Sequence, residues 1–274
     1  MTFGARLRAA MDQHGPLCAG IDPHAALLAA WGLSDDLDGL RRFTDAAVQA
    51  FAGSVAAVKP QSAFFERFGA AGVGVLEEAV RELRGRGTLV VLDVKRGDIG
   101  TTAQAYADAY LDKAAPLAVD AITASPFLGV GSLDPMMDTA LANDAGVFVL
   151  ALTSNPEGPQ VQHARTASGR TVAGEVLAAL AARNAGAAPL GSMGAVVGAT
   201  IGESDEDLAI NGPLLVPGIG AQGGTAADVR RIFGASIGNV LPSSSREILG
   251  AGPDLAALSA AARRAGEEFG ALVR

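Results

Sequence analysis

Residues 88–100 read Thr-Leu-Val-Val-Leu-Asp-Val-Lys-Arg-Gly-Asp-Ile-Gly, and this stretch decides the fold class. Its first half is a run of β-branched and other apolar residues, which is typical of a buried parallel strand. Gly87 is a helix-stop signal before the run, and Thr101 and Thr102 are candidate helix N-caps after it. The stretch therefore predicts a strand that lies between two helices, the repeating unit of a parallel α/β sheet.

The same alternation recurs along the whole chain, because short apolar runs are separated by alanine- and leucine-rich segments of helical period. The predicted strands span residues 17–22, 55–59, 88–95, 121–125, 146–154, 195–200, 214–220 and 239–243. The predicted helices span residues 36–52, 71–86, 101–114, 134–143, 172–186, 203–211, 225–234 and 254–272. Eight strands that are each followed by a helix predict an α/β protein with residues 1–274 in a single (β/α)8 TIM barrel.

An open doubly wound sheet also alternates strands and helices, so barrel closure depends on the count of eight strands. The first predicted strand lacks the Gly-x-Gly-x-x-Gly turn that binds dinucleotides, which removes the main support for that alternative. Residues 155–169 form a long polar loop after the fifth strand, and in a barrel such a loop is a candidate substrate cover.

Composition and charge exclude several classes of protein. Apolar residues make up 49% and charged residues 18%, which favours a large core over disorder. The 21 basic and 29 acidic residues give a net charge of −8, which argues against nucleic-acid or membrane-surface partners. Cys18 is the single cysteine and there are three histidines, so we expect neither a disulfide nor a metal site. A soluble protein of the cytoplasm is the simplest interpretation.

The third predicted strand carries the densest chemical signal. Asp93 and Lys95 point to the same face of the strand, because strand side chains alternate, and they lie at the end where barrel enzymes place their sites. A charged pair that ends an apolar strand indicates function more than stability, although a solvated ion pair would also explain it. Asp98 alone would be a helix N-terminal residue that interacts with the helix dipole.

Glycine-rich segments follow the seventh and eighth predicted strands, where barrel enzymes often bind phosphate. Residues 217–224 read Pro-Gly-Ile-Gly-Ala-Gln-Gly-Gly, and Gly220 and Gly223 leave backbone N–H groups accessible to an anion. Ser245 and Arg246 follow the eighth strand, and Arg246 offers a guanidinium fork for a phosphate. Tight turns between strands and helices would also explain these glycines.

These residues together resemble the orotidine 5′-phosphate decarboxylase family, in its longer bacterial branch. The resemblance follows the strand order over most of the chain. It rests on residues 20–23 (GIDP), 58–60 (VKP), Asp93-x-Lys95-x-x-Asp98, 153–156 (TSNP), 217–224 (PGIGAQGG) and Ser245-Arg246. It implies a cofactor-independent enzyme of de novo pyrimidine biosynthesis that converts orotidine 5′-phosphate to uridine 5′-phosphate.

The resemblance also implies roles for residues of the motifs. Lys95 would protonate C6 of the pyrimidine, and Asp93 would lie near the departing carboxylate, acting either by destabilising the substrate or by positioning Lys95. Asp22 and Lys59 would hold the ribose hydroxyls, and Lys59 and Asp98 would extend the array of alternating charge.

The resemblance implies further contacts with the substrate. In a homodimer, Asp98, Ile99 and Thr102 would reach into the site of the second subunit. The remaining implied substrate contacts are Ser154 to the pyrimidine, Pro217 in the glycine-rich loop, and Gln222 and Arg246 to the phosphate.

Two alternatives stay open on the sequence. Relatives that resemble 3-keto-L-gulonate 6-phosphate decarboxylase share the Asp-x-Lys-x-x-Asp motif but use magnesium, held partly by an acidic residue after the second strand. Lys59 occupies that position here. The other alternative is a barrel that binds a phosphorylated metabolite without catalysis, which the complete set of Asp93, Lys95 and Asp98 disfavours.

Overall fold

The computed structural model of the chain describes residues 1–202, 204–219 and 225–273. Eight parallel strands close into a barrel in which each strand pairs with the next and the last pairs with the first. The strands are β1 (Cys18–Ile21), β2 (Ala57–Pro60), β3 (Leu89–Arg96), β4 (Ala121–Ala124), β5 (Gly146–Leu152), β6 (Met193–Val197), β7 (Leu214–Pro217) and β8 (Val240–Ser244). The predicted (β/α)8 TIM barrel is confirmed.

Helices surround the barrel and continue into its loops. They are α1 (Phe3–His14), α2 (Ala25–Ala30), α3 (Leu37–Phe51), α4 (Ala63–Glu66), α5 (Gly69–Gly85), α6 (Gly100–Leu111), α7 (Asp134–Ala142), α8 (Pro159–Gln162), α9 (Val172–Arg183), α10 (Ala226–Phe233), α11 (Arg246–Leu249) and α12 (Leu255–Leu272), with 3₁₀ turns at Val130–Leu133 and Gly234–Asn239. Across the described ranges, none of these helices combines the length and apolarity that crossing a membrane requires.

The barrel interior is filled by alternate residues of every strand, and α1 closes its N-terminal end. Phe3 and Leu7 of α1 are completely buried in the same cluster as the inward side chains of the strands. The Phe3 ring meets the Phe148 ring of β5 edge to face, with centroids 6.0 Å apart. Because this end is filled with apolar side chains, the opposite end, where the strands terminate, is left for chemistry.

One predicted helix is wrong. The described part of the 203–211 prediction, residues 204–211, contains no helix. Ser204 and Asp207 accept hydrogen bonds from the N–H groups two residues later, which competes with helical bonding. Leu208 and Ile210 are buried while Ala209 between them is exposed, so this segment follows a period of two rather than 3.6.

The predicted caps of α6 are also wrong. The helix begins at Gly100, so Ile99 occupies the N-cap position in place of Thr101 or Thr102, and its side chain makes no capping bond. Gly100 has a φ of +54°, a conformation that glycine adopts at little cost, and it turns the chain into the helix one residue early.

Candidate active site

Polar side chains form the last inward layer of the barrel at the ends of three neighbouring strands. Lys59 lies two residues after the inward Ala57, Asp93 two after Val91, and Thr123 two after Ala121. Because side chains alternate along a strand, this spacing turns a cation, a carboxylate and a hydroxyl toward the same mouth. All three residues are buried.

Asp93 is the centre of this layer. Its Oδ2 accepts a hydrogen bond from Lys59 Nζ at 2.8 Å, and its Oδ1 accepts from Lys95 Nζ at 2.5 Å and from Thr123 Oγ1 at 2.8 Å. A buried carboxylate is stable only when it is paired and hydrogen-bonded, and three donors satisfy this one. The geometry therefore holds two ammonium groups at fixed positions around one anion.

The charges of this cluster stabilise one another against burial. Burial alone would raise the pKa of Asp93, but the ammonium groups of Lys59 and Lys95 lower it to about 2. Burial alone would lower the pKa of Lys59, yet the carboxylates of Asp93 and Asp22 raise it above its ordinary value. Asp93 and Lys59 are both ionised at neutral pH.

Lys95 differs from Lys59 in exposure and in backbone geometry. Its side chain is 47% exposed, against 9% for Lys59, so its ammonium can be reached from the mouth of the barrel. Lys95 also has a φ of +44°, in the left-handed region that is strained for a residue with a side chain. Such strain is found where function requires a particular geometry, and here it aims a reachable ammonium at the mouth.

Two polar atoms at the ends of β1 and β8 are buried without a hydrogen bond to any described residue. They are Oδ1 of Asp22 and Oγ of Ser245. The two strands are neighbours, and a Cβ on Gly20 would lie 2.6 Å from the Cβ of Ser245, so the backbone at Gly20 approaches Ser245 closely. Buried polar atoms are usually satisfied, so both atoms are suited to contact a polar ligand.

The other predicted contact residues surround the same mouth. Pro217 ends β7, exposed Arg246 begins α11, and exposed Ser154 follows β5. A Cβ on Gly198 would lie too close to Ser154 Oγ, so the glycine leaves room for this orientation of the Ser154 side chain. The predicted phosphate-loop residues Gly220, Gln222 and Gly223 lie outside the described residues.

Asp98 is not joined to the charged cluster of its own chain. Its Oδ1 accepts a hydrogen bond from the Ile99 N–H at 2.8 Å, and among the described residues it forms no ion pair with Lys59 or Lys95. Ile99 is 62% exposed, and Thr102 is exposed on α6. Ile99 and Thr102 are therefore open to solvent, while Asp98 is half-buried.

Sequence reasoning missed two residues near the site. Thr123 is the single polar residue within the apolar run of β4, and that interruption is the signal that could have identified it. Gln162 has no such signal, because it lies in the polar loop after β5. Its side chain accepts from Thr153 N at 2.9 Å and donates to Thr153 Oγ1 at 2.6 Å. Gln162 thus ties the loop back to the residue next to Ser154.

Comparisons with known proteins identify a family. The family model described as "Orotidine 5'-phosphate decarboxylase / HUMPS family" matches residues 15–261. The orotidine 5′-phosphate decarboxylase of Salinispora arenicola is 64% identical over 264 residues, covering 96% of this chain and 95% of the relative. That of Streptomyces coelicolor is 63% identical over 263 residues, covering 96% and 95%.

Two solved structures have the same fold over nearly the full chain. A crystal structure from Streptomyces avermitilis superimposes with a TM-score of 0.97 at 61% identity and covers 99% of this chain and 96% of that one. The OMP decarboxylase of Leishmania donovani superimposes with a TM-score of 0.75 at 33% identity and covers 100% and 99%.

Proposed function

Because the chain belongs to the orotidine 5′-phosphate decarboxylase / HUMPS family and is a carboxy-lyase, we propose that it decarboxylates orotidine 5′-phosphate to uridine 5′-phosphate in pyrimidine biosynthesis. The position of the Lys95 ammonium supports the proposal on chemical grounds. Lys95 holds a reachable ammonium next to a carboxylate that is buried between two lysines. A reaction that develops negative charge and then needs a proton uses such a group twice.

The proposed reaction breaks the bond between C6 of the pyrimidine and its carboxylate. Carbon dioxide leaves, and the electron pair of the broken bond stays on C6. The Lys95 ammonium stabilises the developing charge and then transfers a proton from Nζ to C6, which completes uridine 5′-phosphate. Solvent returns the proton to Lys95. No cofactor takes part in these steps.

Asp93 acts on this reaction through charge. Its carboxylate holds Lys95 Nζ at 2.5 Å. We assign the departing carboxylate of the substrate to the same side of the site. Lys59 balances the Asp93 charge from the far side at 2.8 Å, so Asp93 remains ionised when Lys95 turns toward the substrate. Asp93 and Lys59 are thus preorganised, and only the Lys95 side chain has to move during the reaction.

Groups farther from C6 would bind and orient the substrate. We assign the ribose hydroxyls to Asp22 and Lys59 and the pyrimidine to Ser154. The phosphate is assigned to the loop after β7, with Pro217 and Gln222, and to Arg246 after β8. Binding energy at the phosphate holds the reacting carbon against Lys95 and closes the site over it.

Turnover of orotidine 5′-phosphate tests the proposal. Purified protein treated with a chelator should deplete the substrate absorbance and form uridine 5′-phosphate. No turnover would refute it. Loss of activity with chelator that returns with magnesium would instead favour the sugar-phosphate branch of the family. The ion pair of Lys59 with Asp93 disfavours that branch, because it puts a cation where the branch has a metal-binding carboxylate.

We further propose a homodimer in which Asp98, Ile99 and Thr102 complete the partner's site. The support is apolar exposure on adjacent loops: Ile99 is 62% exposed and Phe127 is 75% exposed. Large apolar side chains exposed together mark interaction surfaces.

The single cysteine is buried in β1, which agrees with a reducing cytoplasm as the place of the reaction.

Mixing two inactive variants tests the shared site. Asp98→Ala and Lys95→Ala subunits should regain partial activity when mixed, since one of the two sites in each mixed dimer has both residues intact. Mixed dimers without any activity would contradict the assignment of Asp98 to the partner's site.

A further inference from the structure

Thr123 lies opposite an irregularity in the strand that carries Lys95. Leu92 of β3 pairs with Ile122 of β4, and Arg96 pairs with Ala124. Three residues of β3, Asp93 to Lys95, therefore oppose the single residue Thr123. A bulge of this kind interrupts the ladder and leaves backbone N–H groups of the longer strand without their usual carbonyl acceptors.

The Thr123 hydroxyl replaces those missing acceptors. Its Oγ1 accepts hydrogen bonds from Val94 N at 3.1 Å and from Lys95 N at 2.9 Å. It therefore holds the backbone of Lys95, whose φ of +44° would otherwise be unfavourable. Thr123 is 1% exposed, so water does not compete for these bonds.

The same hydroxyl has one proton, and its direction follows from the two bonds it accepts. A hydroxyl offers one donor and two acceptor lone pairs, and the N–H groups of Val94 and Lys95 occupy the acceptors. The remaining neighbour is Oδ1 of Asp93, at 2.8 Å, which must receive the proton. That oxygen also binds Lys95 Nζ, so one side chain fixes both ends of Lys95, the backbone directly and the ammonium through Asp93.

We propose that Thr123 is a positioning residue for the proton donor Lys95, acting through the bulge of β3 and through Asp93. This inference rests on the proposed function and deepens it. The γ-methyl group of Thr123 has no part in the bonds, so a serine retains the function and an isosteric valine removes it. Thr123→Val leaves two buried N–H groups without acceptors and removes one donor from the Asp93 carboxylate.

The test measures turnover of orotidine 5′-phosphate and binding of uridine 5′-phosphate. Thr123→Val should lower kcat by about 10- to 100-fold, the effect of losing a hydrogen bond to a charged group. The product dissociation constant should stay within about threefold, because Thr123 is not assigned to the ribose or the phosphate. Thr123→Ser should recover most of the wild-type kcat. A purely structural role would not separate kcat from product binding.

Thr44→Val is the matched control. Thr44 is also completely buried, and its hydroxyl donates to Leu40 O within α3, away from the mouth. Its substitution should leave kcat unchanged. If Thr123→Val does not fold, Thr123→Ala compared with Thr123→Ser isolates the hydroxyl, since both lack the methyl group.

Different outcomes overturn different claims. No turnover by the wild-type protein refutes the proposed function. Wild-type turnover with an equally active Thr123→Val variant refutes the positioning role, and so does a Thr123→Ser variant as slow as Thr123→Val or Thr123→Ala.

Discussion

Replacing Asp93 with asparagine tests the electrostatics of the buried cluster separately from catalysis. The Asp93→Asn substitution keeps the shape of the side chain but leaves Lys59 buried without its counterion. Breaking a buried pair in this way costs about 3 to 5 kcal/mol of the free energy of unfolding. The lowering of the Asp93 pKa from 3.8 to about 2 corresponds to about 2 kcal/mol of this at neutral pH.

The pH dependence of that loss has a definite sign. Because the pKa of Asp93 is lower in the folded state, its contribution is complete above about pH 4 and is lost as the pH falls toward about 2. Urea unfolding followed by circular dichroism at pH 7, 4 and 3 should therefore show wild type and Asp93→Asn converging as the pH falls. A difference between the two proteins that is the same at every pH would refute this reasoning.

Asp45→Asn is the control, because the pKa of Asp45 is shifted in the direction opposite to that of Asp93. Burial raises the pKa of Asp45; Arg41 opposes the rise, and Glu82 and Glu78 add to it. Its ionised form is therefore disfavoured in the folded protein. Asp45→Asn should leave the free energy of unfolding at pH 7 unchanged or raise it, in contrast to Asp93→Asn.

Four further substitutions test other parts of the molecule. Phe3→Ala empties the buried end of the barrel and should cost about 3 to 5 kcal/mol of unfolding free energy in urea; a loss below about 1 kcal/mol would show that α1 is not part of the core. Gly97→Ala places a Cβ against Ser125 O, closer than the two atoms can approach, and should lower the thermal midpoint of unfolding. Gly74→Ala lies in α5 with open space around it and should stabilise the protein by about 0.5 to 1 kcal/mol. Equal effects of the two substitutions would contradict the packing argument. Gln162→Ala removes both bonds to Thr153 and should lower kcat/KM about fivefold in steady-state assays, and an unchanged value would separate the loop from substrate binding.

The strands were predictable because each is a local property of the chain. A parallel strand is buried on both faces, so its sequence is a continuous apolar run such as Leu89 to Leu92. The position of helix α1 at the end of the barrel has no local sequence signal, because its buried residues contact strands far along the chain. The segment 204–211 has an apparent helical spacing, but its serine and aspartate side chains bond locally to backbone N–H groups, which competes with helix formation.

The site was predictable where one strand carries its residues. The shared face of Asp93 and Lys95 follows from a period of two within β3. The place of Lys59 in the array of charges came only from the family resemblance, and its ion pair with Asp93 appears in the structure. The role of Thr123 depends on a bulge that shifts the register between two strands, and no sequence pattern records that shift. The partner contacts of Asp98 depend on a second subunit and remain a prediction.

Turnover by Lys95→Ala tests the central claim most directly. The variant should bind uridine 5′-phosphate, because the proposed phosphate and ribose contacts are elsewhere, and it should form no detectable uridine 5′-phosphate from orotidine 5′-phosphate. Product binding with turnover abolished is the result that the proposed mechanism predicts. A Lys95→Ala variant that retains a rate close to that of the wild type would contradict it.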